Sequence, residues 1–323
     1  MQCCSAQTMR SPLADLRRLA RRLLRSSGPP TRDGTSFEAL ARLHALYGAG
    51  GRAPAVLCLG DSVLERVARE DTDQRPLAAM LEDELACAAV SHSAYHPQIY
   101  HRLLQALQHR PKRPSVLVVP INIRCFSPQW DFHPEFQFEE ELAALARYIA
   151  SPGDDTAQVV IDFTPSPQDR EAYARQPVEY PGASWKTVGD FLAIRDGSPE
   201  ADRERRLAAI FEFHYMHPLQ RGHRKLRELS SLAALAHDLG IRTLFYVTPI
   251  NHEAGVRHCG PAFADRYDAN VAIVRDSVEL VDWGRLVPSS EFVHPDIANE
   301  HLNEAGRRRL ATEIVTQVRA LLG

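Results

Sequence analysis

The chain has 323 residues, 44% of them apolar and 24% charged, with a formal net charge of −3 at pH 7. That balance fits a globular protein with a sizeable core and argues against disorder. It also argues against nucleic acid as a partner, because phosphate backbones call for a concentrated basic face.

The six cysteines, Cys3, Cys4, Cys58, Cys87, Cys125 and Cys259, show no Cys-x-x-Cys metal spacing. Cys58 and Cys87 fall in apolar runs, where a thiol packs as a small hydrophobe, and the usage fits a reducing compartment. No signal-type apolar region opens the chain, and no later run reaches the ~18 apolar residues of a membrane span. A cytoplasmic protein is therefore expected.

In chain order, "SPLADLRRLARRLLRSS" puts Leu13, Leu16, Leu19, Leu23 and Leu24 on one helical face and arginines on the other. Such a helix can pack on its own domain, meet a partner or lie on an anionic membrane surface. "SFEALARLHALYG" reads as a second helix, capped by Ser36 and ended by Gly48. Residues 1–50 are thus read as an N-terminal helical extension to a domain spanning 51–323. "PAVLCLG" then gives the first strong strand, short and almost wholly apolar, as in a parallel strand buried on both faces.

From there helix and strand alternate. The strands are "CAAVSH", "SVLVVPIN", "RTLFYVTPIN" and "VELVDW", and "LNEAGRRRLATEIVTQVRALL" closes the chain as a helix. This rhythm specifies an open parallel sheet covered by helices on both faces, which binds ligands outside the carboxyl ends of its strands. Between about 126 and 222 the rhythm breaks. This insertion mixes two helices, a short run "AQVVIDF", and a polar, proline-containing stretch from Thr164 to Pro199, and is read as a lid or partner surface.

The strand ends carry the candidate chemistry. The first strand stops at Gly60-Asp61-Ser62, which is good turn and capping chemistry and also a position for a nucleophile. A serine needs a base within hydrogen-bond reach and donors for the oxyanion. His301, at the mouth of the closing helix, is the candidate base, and Asn122, at the end of "SVLVVPIN", a candidate donor.

These residues resemble the SGNH (GDSL-type) hydrolase family: Gly60-Asp61-Ser62 matches its first block, Asn122 its third, and His301-Leu302-Asn303 with Gly306 its last. The resemblance runs from about Pro54 onward, interrupted by the insertion. It implies a three-layer, flavodoxin-like α/β sandwich around a mainly parallel five-stranded sheet. It also implies a Ser62 acyl-enzyme, His301 as general base, an oxyanion hole of the Ser62 and Ala94 backbone N–H groups with the Asn122 side chain, and no cofactor.

Three departures stand out. Ala94 occupies the place of a usual glycine, and Asn122 is flanked by Ile121 and Ile123. Ala298 occupies the usual place of the acid three residues before the histidine, which leaves Asp296 as first choice, with Asp282, Glu300 or a plain Ser–His dyad behind it. Arg124 can hold a substrate carboxylate or phosphate by its planar fork, its bland alternative being an ion pair; His96 can line the pocket or cap a helix. His92, His96 and His101 lack the acidic or cysteine partners of a metal site, so no metal is expected. Phe126, Trp130, Phe132, Phe136 and Phe138 can wall an acyl pocket or anchor the insertion. The reading is a serine ester hydrolase acting on a small or acylated ester. An O-acyltransferase using the same residues and a catalytically silent binding protein are the alternatives.

Overall fold

The structure, a computed structural model, describes residues 38–152, 165–178, 180, 185–197 and 203–323. The arginine-rich helix expected over residues 11–27, Cys3, Cys4 and the run "AQVVIDF" lie outside the described residues.

Five short apolar runs form the strands: β1 (Val56–Gly60), β2 (Cys87–Ser91), β3 (Val116–Ile121), β4 (Arg242–Val247) and β5 (Val281–Asp282). They make one parallel sheet in the order β2-β1-β3-β4-β5, with Val56 opposite both Cys87 and Val116, and Val116 opposite Arg242. This is the doubly wound order of flavodoxin-like folds, in which the chain reverses its direction of winding between β1 and β3.

Because successive side chains leave a strand on opposite faces, each strand feeds two cores. Leu57, Leu59, Leu117, Val119 and Phe245 pack with helices α1 (Glu38–Tyr47), α3 (Pro97–Leu107), α9 (Arg224–Asp238) and α11 (Pro261–Arg275). Val56, Cys58, Val116, Val118 and Tyr246 face the other way, onto α2 (Leu77–Glu84) and α12 (Glu304–Leu322). The result is a three-layer α/β sandwich. Gly306 lets α12 seat closely, since a Cβ there would lie 2.6 Å from the Glu291 carbonyl oxygen.

The insertion contributes α4 (Pro128–Phe132), α5 (Glu139–Ala150), α6 (Pro167–Ala174), α7 (Val188–Asp196) and α8 (Arg203–Tyr215). Among its described residues, the polar, proline-containing stretch from Thr164 to Pro199 thus holds two helices. Each starts with a capping box, Ser166 with Asp169 and Thr187 with Asp190, in which side chain and backbone satisfy each other's first-turn donors. A satellite core of Tyr173, Val178, Trp185, Val188, Phe191, Ala209 and Phe213 holds this region together.

Two buried polar residues tie the insertion to helices α9 and α11, which cover the sheet. Lys225 Nζ donates to the Cys125 carbonyl at 2.6 Å and to Asp131 at 2.8 Å, while Asn270 Nδ2 donates to the carbonyls of Tyr215 and His217. A further helix, α10 (His252–Cys259), follows β4. No helix among the described residues is long and apolar enough to cross a membrane.

Candidate active site

The carboxyl ends of β1 and β3 flank the point where the winding reverses, and Ser62 and Asn122 leave the sheet there. Asp61 caps the single turn Ser62–Leu64, its carboxylate accepting from Val63 N at 2.9 Å and from Asn122 Nδ2 at 3.0 Å. Burial pushes the Asp61 carboxyl up to about 6, although these two donors oppose the rise. The Asp61–Asn122 bond thus ties the two strand ends together behind the serine.

His301 arrives from the far end of the chain, and its Nε2 lies 3.0 Å from Ser62 Oγ. Its loop is built by amides. Buried Asn251 donates from Nδ2 to the carbonyls of His294, Pro295 and Ile297, and Asn299 Nδ2 donates to those of His294 and Ile297. Asn299 Oδ1 then accepts the His301 N–H at 3.1 Å, and Asn303 caps α12 immediately beyond.

Burial is the main cause that drives the His301 imidazole down to about 4. Glu300 pulls it upward, and Arg66 and Arg124 push it further down. At neutral pH the ring is therefore uncharged and able to take a proton.

None of the three carboxylates weighed as triad acid bonds this ring. Asp296, the first choice, is turned outward: its carboxylate is 54% exposed and pairs with Arg257 at 2.6 Å and Arg203 at 3.9 Å. The cause is the loop itself, whose carbonyls are gathered inward on Asn251 and Asn299. Asp282 accepts from the Tyr267 hydroxyl at 2.6 Å and from Gly284 N at 2.9 Å.

Glu300 is buried beside His301 but is bonded to Arg124 Nη1 at 3.3 Å and to the Tyr215 hydroxyl at 3.0 Å. Burial raises its carboxyl, yet Arg124, His301 and Tyr215 outweigh that and hold it below its ordinary value. Among the described residues the arrangement at Ser62 is a Ser–His pair flanked by an ion pair of buried Glu300 with half-buried Arg124.

Ser62 and His301 open on a cleft of about 530 Å³, counting the part open to solvent. Ala94, Trp130, Phe136 and Phe138 give it an apolar wall, and Arg66, Arg124 and Gln129 a polar one. Phe126 instead packs edge-on against His223, and Phe132 is 40% exposed, so neither belongs to the wall.

Ala94 has φ +67°, in the left-handed region where glycine would be free of strain. The backbone N–H groups of Ser62 and Ala94 meet no acceptor among the described residues. Asn122 is buried and does not line the cleft.

Arg124 does line it, paired to Glu300, bonded to Gln129 Oε1 at 3.0 Å and stacked over the Trp130 ring at 5.0 Å. His96 does not. It is buried, its Nε2 faces the Phe136 carbonyl at 3.2 Å, and although it stands at the head of α3 its side chain makes no capping bond. Among the described residues no cluster of three or more His, Cys, Asp or Glu side chains could hold a metal.

Asn251 is the residue of the candidate site that sequence reasoning passed over. Its signal is a repeat: Pro120-Ile121-Asn122 closes β3, and the same tripeptide, Pro249-Ile250-Asn251, follows β4 just beyond its last residue, Val247; both asparagines organise a loop of the candidate site.

No family model and no curated protein matches the sequence. Among solved structures, the chain is similar to a Streptococcus pneumonia protein provisionally described as a platelet activating factor (10% identity, 95% of this chain and 99% of that one, TM-score 0.42). It is also similar to a mutant of an acetyl-xylooligosaccharide esterase from Geobacillus Stearmophilus (13% identity, 84% and 96%, TM-score 0.35). A third is an alpha/beta hydrolase enzyme from the metagenome of Lake Arreo, Spain (13% identity, 86% and 99%, TM-score 0.36).

Proposed function

We propose that this protein is a serine hydrolase of carboxylic esters. The observation that carries the reading is the 3.0 Å contact of Ser62 Oγ with His301 Nε2 at the floor of a cleft beside the carboxyl ends of a parallel sheet. In the first half-reaction Ser62 Oγ attacks the ester carbonyl carbon while His301 Nε2 takes the hydroxyl proton. The resulting oxyanion is held by the backbone N–H groups of Ser62 and Ala94, while Asn122, which does not line the cleft, supports the Ser62 turn through its bond to Asp61.

Collapse of the tetrahedral intermediate breaks the bond to the alcohol oxygen, and His301 returns its proton to that leaving group. Water, deprotonated by the same imidazole, then attacks the Ser62 acyl group; the bond to Ser62 Oγ breaks, His301 returns the proton to that oxygen, and the carboxylic acid departs. The aromatic wall supports an apolar acyl or alcohol portion. Arg124 is spent on Glu300, so its part in this reading is to neutralise a buried carboxylate beside the base rather than to grip the substrate.

A fluorophosphonate probe tests the assignment. Intact mass and peptide mapping are expected to show one adduct on Ser62, lost in Ser62→Ala and in His301→Ala. A folded wild-type protein that neither takes the adduct nor cleaves a panel of activated esters would withdraw the assignment. Adding alcohols to the ester assay separates hydrolysis from acyl transfer, the latter appearing as new ester instead of free acid.

A further inference from the structure

Ala94 is one of three residues other than glycine with positive φ among those described, and it lines the cleft beside Ser62. An alanine in the left-handed region costs about 1–2 kcal/mol and persists only where neighbours over-determine it. Here the constraint can be read atom by atom. Tyr95 N donates to the His92 carbonyl at 3.1 Å, closing a four-residue turn with Ser93 and Ala94 at its centre. Positive φ at the third position alone is the type II pattern, in which the central peptide is flipped relative to the commoner type I turn.

Two side chains hold the turn from outside, His92 on the flipped Ser93–Ala94 peptide and Trp130 on the peptide that follows it. His92 Nδ1 lies 2.9 Å from the Ser93 carbonyl oxygen and, since a carbonyl only accepts, carries the proton. Trp130 Nε1 donates to the Ala94 carbonyl at 2.8 Å in a buried bond, and its ring is fixed by stacking on Phe136 and beneath Arg124. A peptide's N–H points opposite to its C=O, so fixing the Ser93 oxygen fixes the direction of the Ala94 N–H.

We infer that Trp130 and His92 are positioning residues for catalysis, clamping the Ser93–Ala94 turn so that the Ala94 N–H meets the oxyanion formed at Ser62. The inference rests on the ester-hydrolase reading above. It also gives the inserted segment a part in catalysis. Trp130 lies in α4, outside the strand and helix alternation, yet it sets an oxyanion donor that the sheet alone leaves in a strained turn.

The test compares wild type with Trp130→Phe and, independently, His92→Phe, each of which keeps an aromatic ring and removes the donor. Steady-state hydrolysis of an activated acetyl ester is expected to show kcat reduced about 10- to 100-fold, a fraction of what losing a donor outright costs. KM should stay within about twofold, because the ground-state carbonyl makes little use of the donor. A trifluoromethyl ketone, which forms a tetrahedral oxyanion adduct on serine, should weaken in proportion to kcat, a readout that simple loosening of the fold would not track.

Unchanged kcat in both variants, or kcat and thermal midpoint falling together while the ketone binds as before, overturns the inference and leaves the Ser62 assignment standing. A wild type inert to both probe and ester overturns that assignment and the inference with it.

Discussion

Replacing Asp296 by alanine separates two accounts of the site by orders of magnitude. Where a carboxylate holds the tautomer and orientation of a catalytic histidine, its loss lowers kcat by about 10⁴, or roughly 5 kcal/mol of barrier. The carboxylate of Asp296 is 54% exposed, and its partners Arg257 and Arg203 are 52% and 51% exposed, so solvent screens both pairs. Such pairs contribute about 0–1 kcal/mol to stability, and no bond from Asp296 reaches His301. The Asp296→Ala variant is therefore expected to keep kcat/KM within about twofold of wild type and to shift the urea midpoint only slightly. Initial rates on an activated acetyl ester, with kcat and KM resolved, make the measurement. A loss of more than about 100-fold in kcat in a folded variant would refute the dyad and require the loop from His294 to Asn299 to bring the acid inward during the reaction.

Two further outcomes follow from the site. With His301 driven down to about 4, kcat/KM should rise through that pH and stay level to neutrality, and an acid limb centred near the ordinary histidine value of about 6.5 would contradict the burial argument. Stability should move in the same sense, because between about 4 and about 6.5 the unfolded chain binds the proton that the folded imidazole refuses. The contribution is complete above about 6.5 and is lost as pH falls through about 4, which urea titrations at pH 7, 5 and 4 would read, with His133 adding to the loss. Arg124→Met strands Glu300 as a buried carboxylate with only the Tyr215 hydroxyl as partner, and should cost about 3–5 kcal/mol in equilibrium unfolding. A change below about 1 kcal/mol would mean that Glu300 takes up a proton or reaches solvent.

The parallel sheet was legible because its strands are short apolar runs separated by helical periodicity, and burial on both faces leaves no other use for "VLCLG" or "VLVVPI". The ends of those runs also marked where Ser62 and Asn122 would stand. The insertion was less legible. Its two capped helices hide in polar sequence, with the signal confined to Ser166 with Asp169 and Thr187 with Asp190. The direction of Asp296 was beyond reach of spacing arguments, because it is decided by carbonyls collected on Asn251, more than forty residues upstream. The left-handed state of Ala94 was masked for a different reason: alanine carries no preference for it, and part of the constraint comes from a tryptophan in another segment.

Ser62 and His301 stand 239 residues apart in sequence and 3.0 Å apart in space. During synthesis the hydroxyl is made early and its base late, so a chain emerging from the ribosome carries an inert serine through most of its elongation. On the reading proposed above, Ser62 meets its base only once the loop carrying His301 has come into register beside it. Covalent labelling at that serine would thus report on the joining of two distant parts of the chain rather than on the formation of either.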